Sequence, residues 1–192
     1  MGWRERENQK NIALAIKAFE HLLKRNQGVV GEKDLKLIIA GGYDRNVVEN
    51  IQYYSELQKM AEEAGISSKV KFLKSPDDVT KVELLRTSDC LLYTPSKEHF
   101  GIVPIEAMYN KLPVIAVNDG GPLETVVDGE TDRTGYLIKP DPEEFSAAMQ
   151  IIVDGGSDLK NELGENGRNR VLKCFSFNTF AAKLNDYVNQ VM

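Results

Sequence analysis

Residues 90–117, CLLYTPSKEHFGIVPIEAMYNKLPVIAV, decide how the chain is read. CLLY (90–93) and PVIAV (113–117) are short, solid apolar runs, the mark of strands buried on both faces rather than strands with one wet side. Between them, Ile102 to Asn110 reads as a helix, with Gly101 just ahead of it. Pro104 falls in the first turn, where the amide it lacks has no intrahelical partner. Strand, helix and strand in that order make the unit from which parallel sheets are built.

Working outward, the same alternation continues. Ile12, Ile16, Phe19 and Leu23 recur with helical spacing and predict a helix over about 11–26. LKLIIA (35–40) predicts a strand stopped by Gly41-Gly42, and Val47 to Ala64 a helix closed by Gly65. VKFL (70–73) is a strand. Ser75-Pro76-Asp77-Asp78 predicts Ser75 as a helix N-cap with Pro76 in the first helical position, opening a helix that runs to about Thr87. Downstream come a short helix from Pro122, the strand YLIK (136–139), a helix from Asp141-Pro142 to about Val153, and helical stretches near 157–173 and 177–191.

The fold class is therefore α/β: a doubly wound, mostly parallel, Rossmann-like sheet with helices on both faces, one domain over 1–192. Only MGWRER precedes the first helix, where a domain of this class opens on a strand. The first strand reads as largely missing, with Gly2–Arg6 the segment that would stand in for it. A strand edge left uncovered there invites weak self-association.

Composition removes several function classes. The 192 residues carry a net charge of −5, with no basic footprint for nucleic acid. No apolar run approaches the ~18 residues of a membrane span, and the polar N-terminus is no secretory signal. The two cysteines, Cys90 and Cys174, make no disulfide framework, and Cys90 within CLLY reads as a buried, inert thiol. No His, Cys and acid cluster has metal-ligand spacing, so no metal and no cofactor are expected.

Ligands of open α/β sheets bind at the carboxyl ends of strands. Three ends stand out: Gly41-Gly42-Tyr43-Asp44, the segment Thr94 to Glu106, and Asn118-Asp119-Gly120-Gly121-Pro122-Leu123-Glu124. Neither G-x-G-x-x-G nor G-x-x-x-x-G-K-[ST] is present, which disfavours dinucleotide enzymes and P-loop NTPases. Gly101 permits close approach of a ligand, and the amides of Gly101, Ile102 and Val103 at a helix start suit a diphosphate. Glu98 on the loop and Glu106 one turn into the helix flank that start, as acceptors for vicinal hydroxyls. On spacing alone, the plainer reading prevails: two surface acids in a first turn, which the helix dipole favours.

SKEHFGIVPIEA (96–107) resembles the E-x7-E signature of retaining glycosyltransferases built from two Rossmann-like domains, the GT-B architecture. YTPSKEHFGIVPIEAMYNKLPVIAVNDGGPLETVVDGE (93–130), AGGYD (40–44) and QKNIALAIKAF (9–19) extend the likeness to the mannosyltransferases of lipid-linked oligosaccharide assembly, over nearly the whole chain. The resemblance implies the C-terminal, donor-binding half of such an enzyme, without its N-terminal acceptor domain. The implied donor is GDP-mannose, the acceptor a dolichol-linked oligosaccharide reached through the other half, and the setting the cytoplasmic side of the endoplasmic reticulum. Membrane association would belong to the full-length protein only, this segment being soluble.

Carried onto this sequence, the resemblance gives Glu106 the ribose hydroxyls and Glu98 a hydroxyl of the mannose. It places the Phe100, Gly101 and Ile102 amides at sugar and diphosphate, and Gly41 and Gly42 beside a phosphate. Gly120, Gly121 and Glu124 join the donor loops, Glu124 with helix capping as its plainer reading and donor contact second. His99 stands beside Glu98 as a packing or hydrogen-bonding residue rather than a general base. Lys10, with either Arg4 or Arg6, would meet the diphosphate as charge develops on the leaving group. Two stretches depart from the pattern: WRERENQKN (3–11), where the two arginines straddle the expected place, and DGETDRTGYL (128–137), where extra residues lengthen a loop. Two other functions stay open, a different donor of the UDP-glucose type and a stand-alone nucleotide-binding module, because fold alone fixes neither.

Overall fold

The computed structural model describes residues 10–28 and 34–191. In chain order the elements are α1 (Ile12–Asn26), β1 (Leu37–Gly41), α2 (Val48–Glu63), β2 (Val70–Lys74), α3 (Asp78–Thr87), β3 (Leu91–Tyr93), α4 (Ile102–Tyr109), β4 (Val114–Val117), α5 (Pro122–Thr125), β5 (Gly135–Ile138), α6 (Pro142–Cys174) and α7 (Phe177–Val191). All described strand pairs are parallel. The chain is α/β with helices on both faces, as its sequence predicts. The expected single sheet is divided, however: among the described residues β1 pairs with β2, and β3, β4 and β5 form a separate ladder in that order. No described strand joins β1 to β3, and Gly2–Arg6 lie outside the described residues.

β4 shows why a solid apolar run folds this way. All four of its residues are fully buried, and they point alternately to two cores. Ile115 and Val117 face one cluster, with Phe19 and Leu22 of α1, Leu57 of α2 and Phe145 and Ile152 of α6. Val114 and Ala116 face the other, with Leu85 of α3, Ala107 and Met108 of α4 and Val171 of α6. Each aliphatic side chain buried to this degree contributes about 1.5–3 kcal/mol, so no position along β4 tolerates a polar group cheaply.

Helix α6 closes both cores. Asp141 caps it, its Oδ1 accepting from the amides of Glu143 at 2.9 Å and Glu144 at 3.0 Å, with Pro142 in the first turn. The helices predicted to end near Val153 and restart at 157 form one element broken at Gly156, whose φ of 58° is left-handed. Beyond the break, Gly164 and Gly167 lie against Lys111 and Met108, where a Cβ would come within 2.3 and 3.1 Å.

One local prediction fails. Ser75 is not the cap of α3. Asp77 is, its Oδ1 accepting from the Thr80 amide at 2.8 Å. Ser75 instead takes a left-handed turn (φ 44°) and staples β2 to the loop after β1: its amide donates to the Gly41 carbonyl at 2.8 Å, and its hydroxyl bonds the Tyr43 amide at 2.9 Å. An aspartate nearer the helix supplies the cap equally well, which frees the serine for the longer contact.

Candidate functional site at the carboxyl ends of the strands

The loop after β3 is held by its neighbours rather than by its own hydrogen bonds. Lys97, in the left-handed region at φ 58°, donates its amide to Asp119 Oδ2 at 3.0 Å. The Gly121 amide donates to the Glu98 carbonyl at 2.8 Å. A Cβ on Gly120 would come within 2.4 Å of the Glu98 carbonyl, and one on Gly121 within 2.1 Å of the Phe100 carbonyl. Gly120 and Gly121 thus let the loop after β4 lie flush on the loop after β3. The side chains of Glu98 and His99 remain exposed.

Gly101 is the N-cap of α4, at φ 71°, and no side chain caps the helix start. Tyr93 explains why nothing larger fits: its Oη would lie 2.5 Å from a Cβ at Gly101. Burial, aided by the charge of Glu98, pushes the Tyr93 hydroxyl up to about 12. Tyr93 therefore stays a neutral phenol under the helix start, and its hydroxyl senses the Glu98 carboxylate. The Phe100 ring turns away to stack edge-on against Phe175, centroids 6.1 Å apart. Only its backbone belongs to this loop contact.

Glu106 sits on the second turn of α4. Its Oε1 accepts from Lys81 Nζ at 2.8 Å, a contact from α3. Its Oε2 is buried without a protein partner. A buried carboxylate oxygen left without a donor is costly.

At the end of β1, Gly41 and Gly42 are exposed, and a Cβ on either would meet nothing within 4 Å. They line a cavity together with Ile12, Tyr43, Tyr54 and Lys74. Lys74 Nζ lies 4.0 Å from the Tyr43 ring centroid and 3.7 Å from that of Tyr54. The start of α1 ties the two ladders at this rim. The Lys10 carbonyl accepts from Thr94 Oγ1 at 2.6 Å, just after β3, and the Ile12 amide donates to the Tyr53 hydroxyl of α2 at 3.2 Å. The Lys10 side chain is exposed.

The structure thus brings Glu98, Phe100, Gly101, Gly120 and Gly121 into one loop pair, sets Glu106 one turn along α4 and Lys10 at the loop's first residue, and puts Gly41 and Gly42 beside α1. Glu124 lies exposed on α5, where its carbonyl accepts from Arg170 Nη2 at 2.6 Å. Arg4 and Arg6 lie outside the described residues. Sequence reasoning missed Tyr93, Lys81 and Asp119. Their partners are 8, 25 and 22 residues away in the chain, beyond any local pattern. The lengthened 128–137 loop closes on itself, with Val127 and Thr134 bonded backbone to backbone at 2.9 Å and Arg133 paired to Asp128 at 3.2 Å. Burial, then the charge of Asp89, raises the Cys90 thiol to about 12, so it is inert at neutral pH. Among the described residues no group of His, Cys, Asp and Glu has the arrangement of a metal site.

With this geometry in view, the sequence matches the Glycosyl transferases group 1 family over residues 4–170. The chain belongs to that family. It is 45% identical over 186 residues to the Alpha-1,3/1,6-mannosyltransferase ALG2 of Homo sapiens, covering 97% of this chain and 44% of the relative. The protein of that name from Dictyostelium discoideum is 42% identical over 188 residues, 96% of this chain and 44% of its own length. The chain thus spans under half the length of the curated relatives it matches. The crystal structure of Anabaena Alr3699/HepE in complex with UDP superposes with a TM-score of 0.76 at 22% identity, over 95% of this chain and 46% of that one. That likeness shows the fold.

Proposed function

We propose that this chain is the donor-binding half of a retaining mannosyltransferase that takes GDP-mannose and extends a lipid-linked oligosaccharide for N-glycan assembly, at the cytoplasmic side of the endoplasmic reticulum. The observation that carries the reading is Glu106: one carboxylate oxygen tied to Lys81, the other buried and unpartnered, one turn beyond an uncapped helix start. The names and identities of the relatives support mannose as the sugar.

In this reading the ribose hydroxyls donate to Glu106, and the first amides of α4 face the diphosphate with the favourable end of the helix dipole. Gly41 and Gly42 leave their backbone open to a phosphate. Glu98, at the loop tip, accepts from a hydroxyl of the mannose. That contact tightens as positive charge grows on the sugar ring, so it lowers the barrier more than it strengthens binding. Lys10, with Arg4 or Arg6, offsets the charge on the departing diphosphate. No described helix is long and apolar enough to cross a membrane. The acceptor lipid falls to the other half of the enzyme.

Calorimetric titration with GDP, GDP-mannose, UDP and UDP-glucose tests the donor, and two variants test the roles. Glu106→Ala is expected to weaken GDP and GDP-mannose alike by roughly tenfold, the worth of a hydrogen bond to a charged group. Glu98→Ala is expected to leave GDP unchanged and weaken GDP-mannose alone. Preference for UDP-glucose would replace GDP-mannose as donor. Equal, small effects from both variants would reduce the stretch to an ordinary helix start. The chain alone is expected to transfer no mannose, since holding the acceptor against the anomeric carbon supplies about 7–11 kcal/mol of the barrier lowering. Transfer to a lipid-linked acceptor by the purified chain would overturn that.

A further inference from the structure

Lys81 belongs to no signature in the sequence, yet it makes the one described side-chain contact to the Glu106 carboxylate, from a helix 25 residues upstream. We propose that Lys81 is a positioning residue for nucleotide recognition: by fixing Glu106 Oε1 from α3, it presents Oε2 to the vicinal ribose hydroxyls of a nucleoside diphosphate. The proposal rests on the donor-site reading of Glu106 and adds to it the residue that makes that carboxylate competent.

Two observations carry it. First, the ion pair contributes little to holding the helices together. Lys81 is 41% and Glu106 31% exposed along their side chains, and pairs so open to water are worth little to stability. Helices α3 and α4 have independent links, since Arg86 Nε donates to Asn110 Oδ1 at 3.2 Å and Leu85 packs in the core with Ala107 and Met108. Second, the pair is asymmetric. Lysine takes one oxygen and leaves the other buried and unpartnered, so the carboxylate is held in one orientation without being satisfied. A lysine suits this as a compact point charge with three donors, of which Glu106 uses one.

The role separates from a structural one by ligand choice. GDP carries both ribose hydroxyls, 2′,3′-dideoxy-GDP carries neither, and base and phosphates are the same. Calorimetric titration of both into the purified chain is the test, for the parent, Lys81→Met, Lys81→Arg, Glu106→Ala and the Lys81→Met/Glu106→Ala double variant. Lys81→Met is expected to lose roughly tenfold in GDP affinity, the scale of a charged hydrogen bond, with dideoxy-GDP unchanged. Lys81→Arg is expected to recover most of the loss. In the Glu106→Ala background Lys81→Met should cost nothing further, because the two act through one contact.

Equal weakening of both ligands by Lys81→Met, or no weakening of either, overturns the proposal. So does additive loss in the double variant. If Glu106→Ala abolishes the preference for GDP over dideoxy-GDP while Lys81→Met leaves it intact, only the role of Lys81 falls. If Glu106→Ala leaves that preference unchanged, or the parent binds neither ligand nor UDP, the donor-site reading falls and the proposal with it.

Discussion

Two glycine pairs end strands in this domain, and they are there for opposite reasons. Gly41, the last residue of β1, and Gly42 border open space: a Cβ on either meets nothing within 4 Å. Gly120 and Gly121, after β4, border backbone, and a Cβ on either would come within 2.4 and 2.1 Å of the loop that carries Glu98. Both pairs look alike in sequence, and each falls near a strand end where a ligand is expected. The structure separates them. The first pair leaves room in the cavity beside α1, while the second is spent on backbone contact that shapes the loop carrying Glu98. A glycine at a strand end therefore identifies a site only once its neighbour is known to be absent.

Substitution breaks or sharpens this contrast. Gly121→Ala is expected to be the most damaging, about 3 kcal/mol of stability lost in chemical denaturation, because carbonyl backbone cannot yield as a side-chain tip can. A mild effect would mean the two loops are not in register as described. Thr94→Val, which removes the 2.6 Å bond that ties α1 to the end of β3, is expected to cost about 1 kcal/mol by the same assay.

A lesser effect, with a pH signature, is expected at the start of α3. The Thr80 hydroxyl and amide hold the Asp77 carboxyl below its ordinary range. A depressed folded-state value means the cap stabilises fully above the ordinary carboxylate pKa and fades as pH falls through the lowered one. Asp77→Ala should therefore melt below the parent at pH 7, with the gap closing in strong acid. A gap that persists in acid would assign the loss to something other than the charged cap. Smallest of all is Gly41→Ala, expected to change stability by no more than about 0.5 kcal/mol, as at an unencumbered surface position, while weakening GDP binding in titration. Loss of stability there would place the two glycine pairs in one class after all.

Much of this was legible in the sequence because it is local or periodic. The solid run PVIAV announced a strand covered on both faces, and β4 delivers it by sending alternate residues into two cores. Asp141-Pro142 announced the start of α6, and its cap is where the pattern put it. The loop from Thr94 to Gly101 and the position of Glu106 followed from motif spacing. What was not legible is contact across the chain. Ser75 carries every local sign of a cap, and loses that role because Tyr43, 32 residues earlier, claims its hydroxyl. Lys81 has no signature at all, and Asp119 stands out only as part of the loop after PVIAV; their meaning comes from the carboxylate and the amide they meet. The division between the β1–β2 and β3–β4–β5 ladders is likewise a matter of which edges meet, and residue patterns within a strand carry no information on that.

The double burial of β4 has a consequence for how this domain can vary. A strand with one wet face offers every second residue to drift, and its record of tolerated substitutions is striped. β1 comes near this, with Leu37 buried and Ile38 at 40% exposure beside it. β4 has no such free positions. A survey of single substitutions across the chain would show residues 114–117 as an unbroken band admitting only swaps of matched size, so divergence among proteins of this kind must be carried by the loops around the strand while the strand itself stands still.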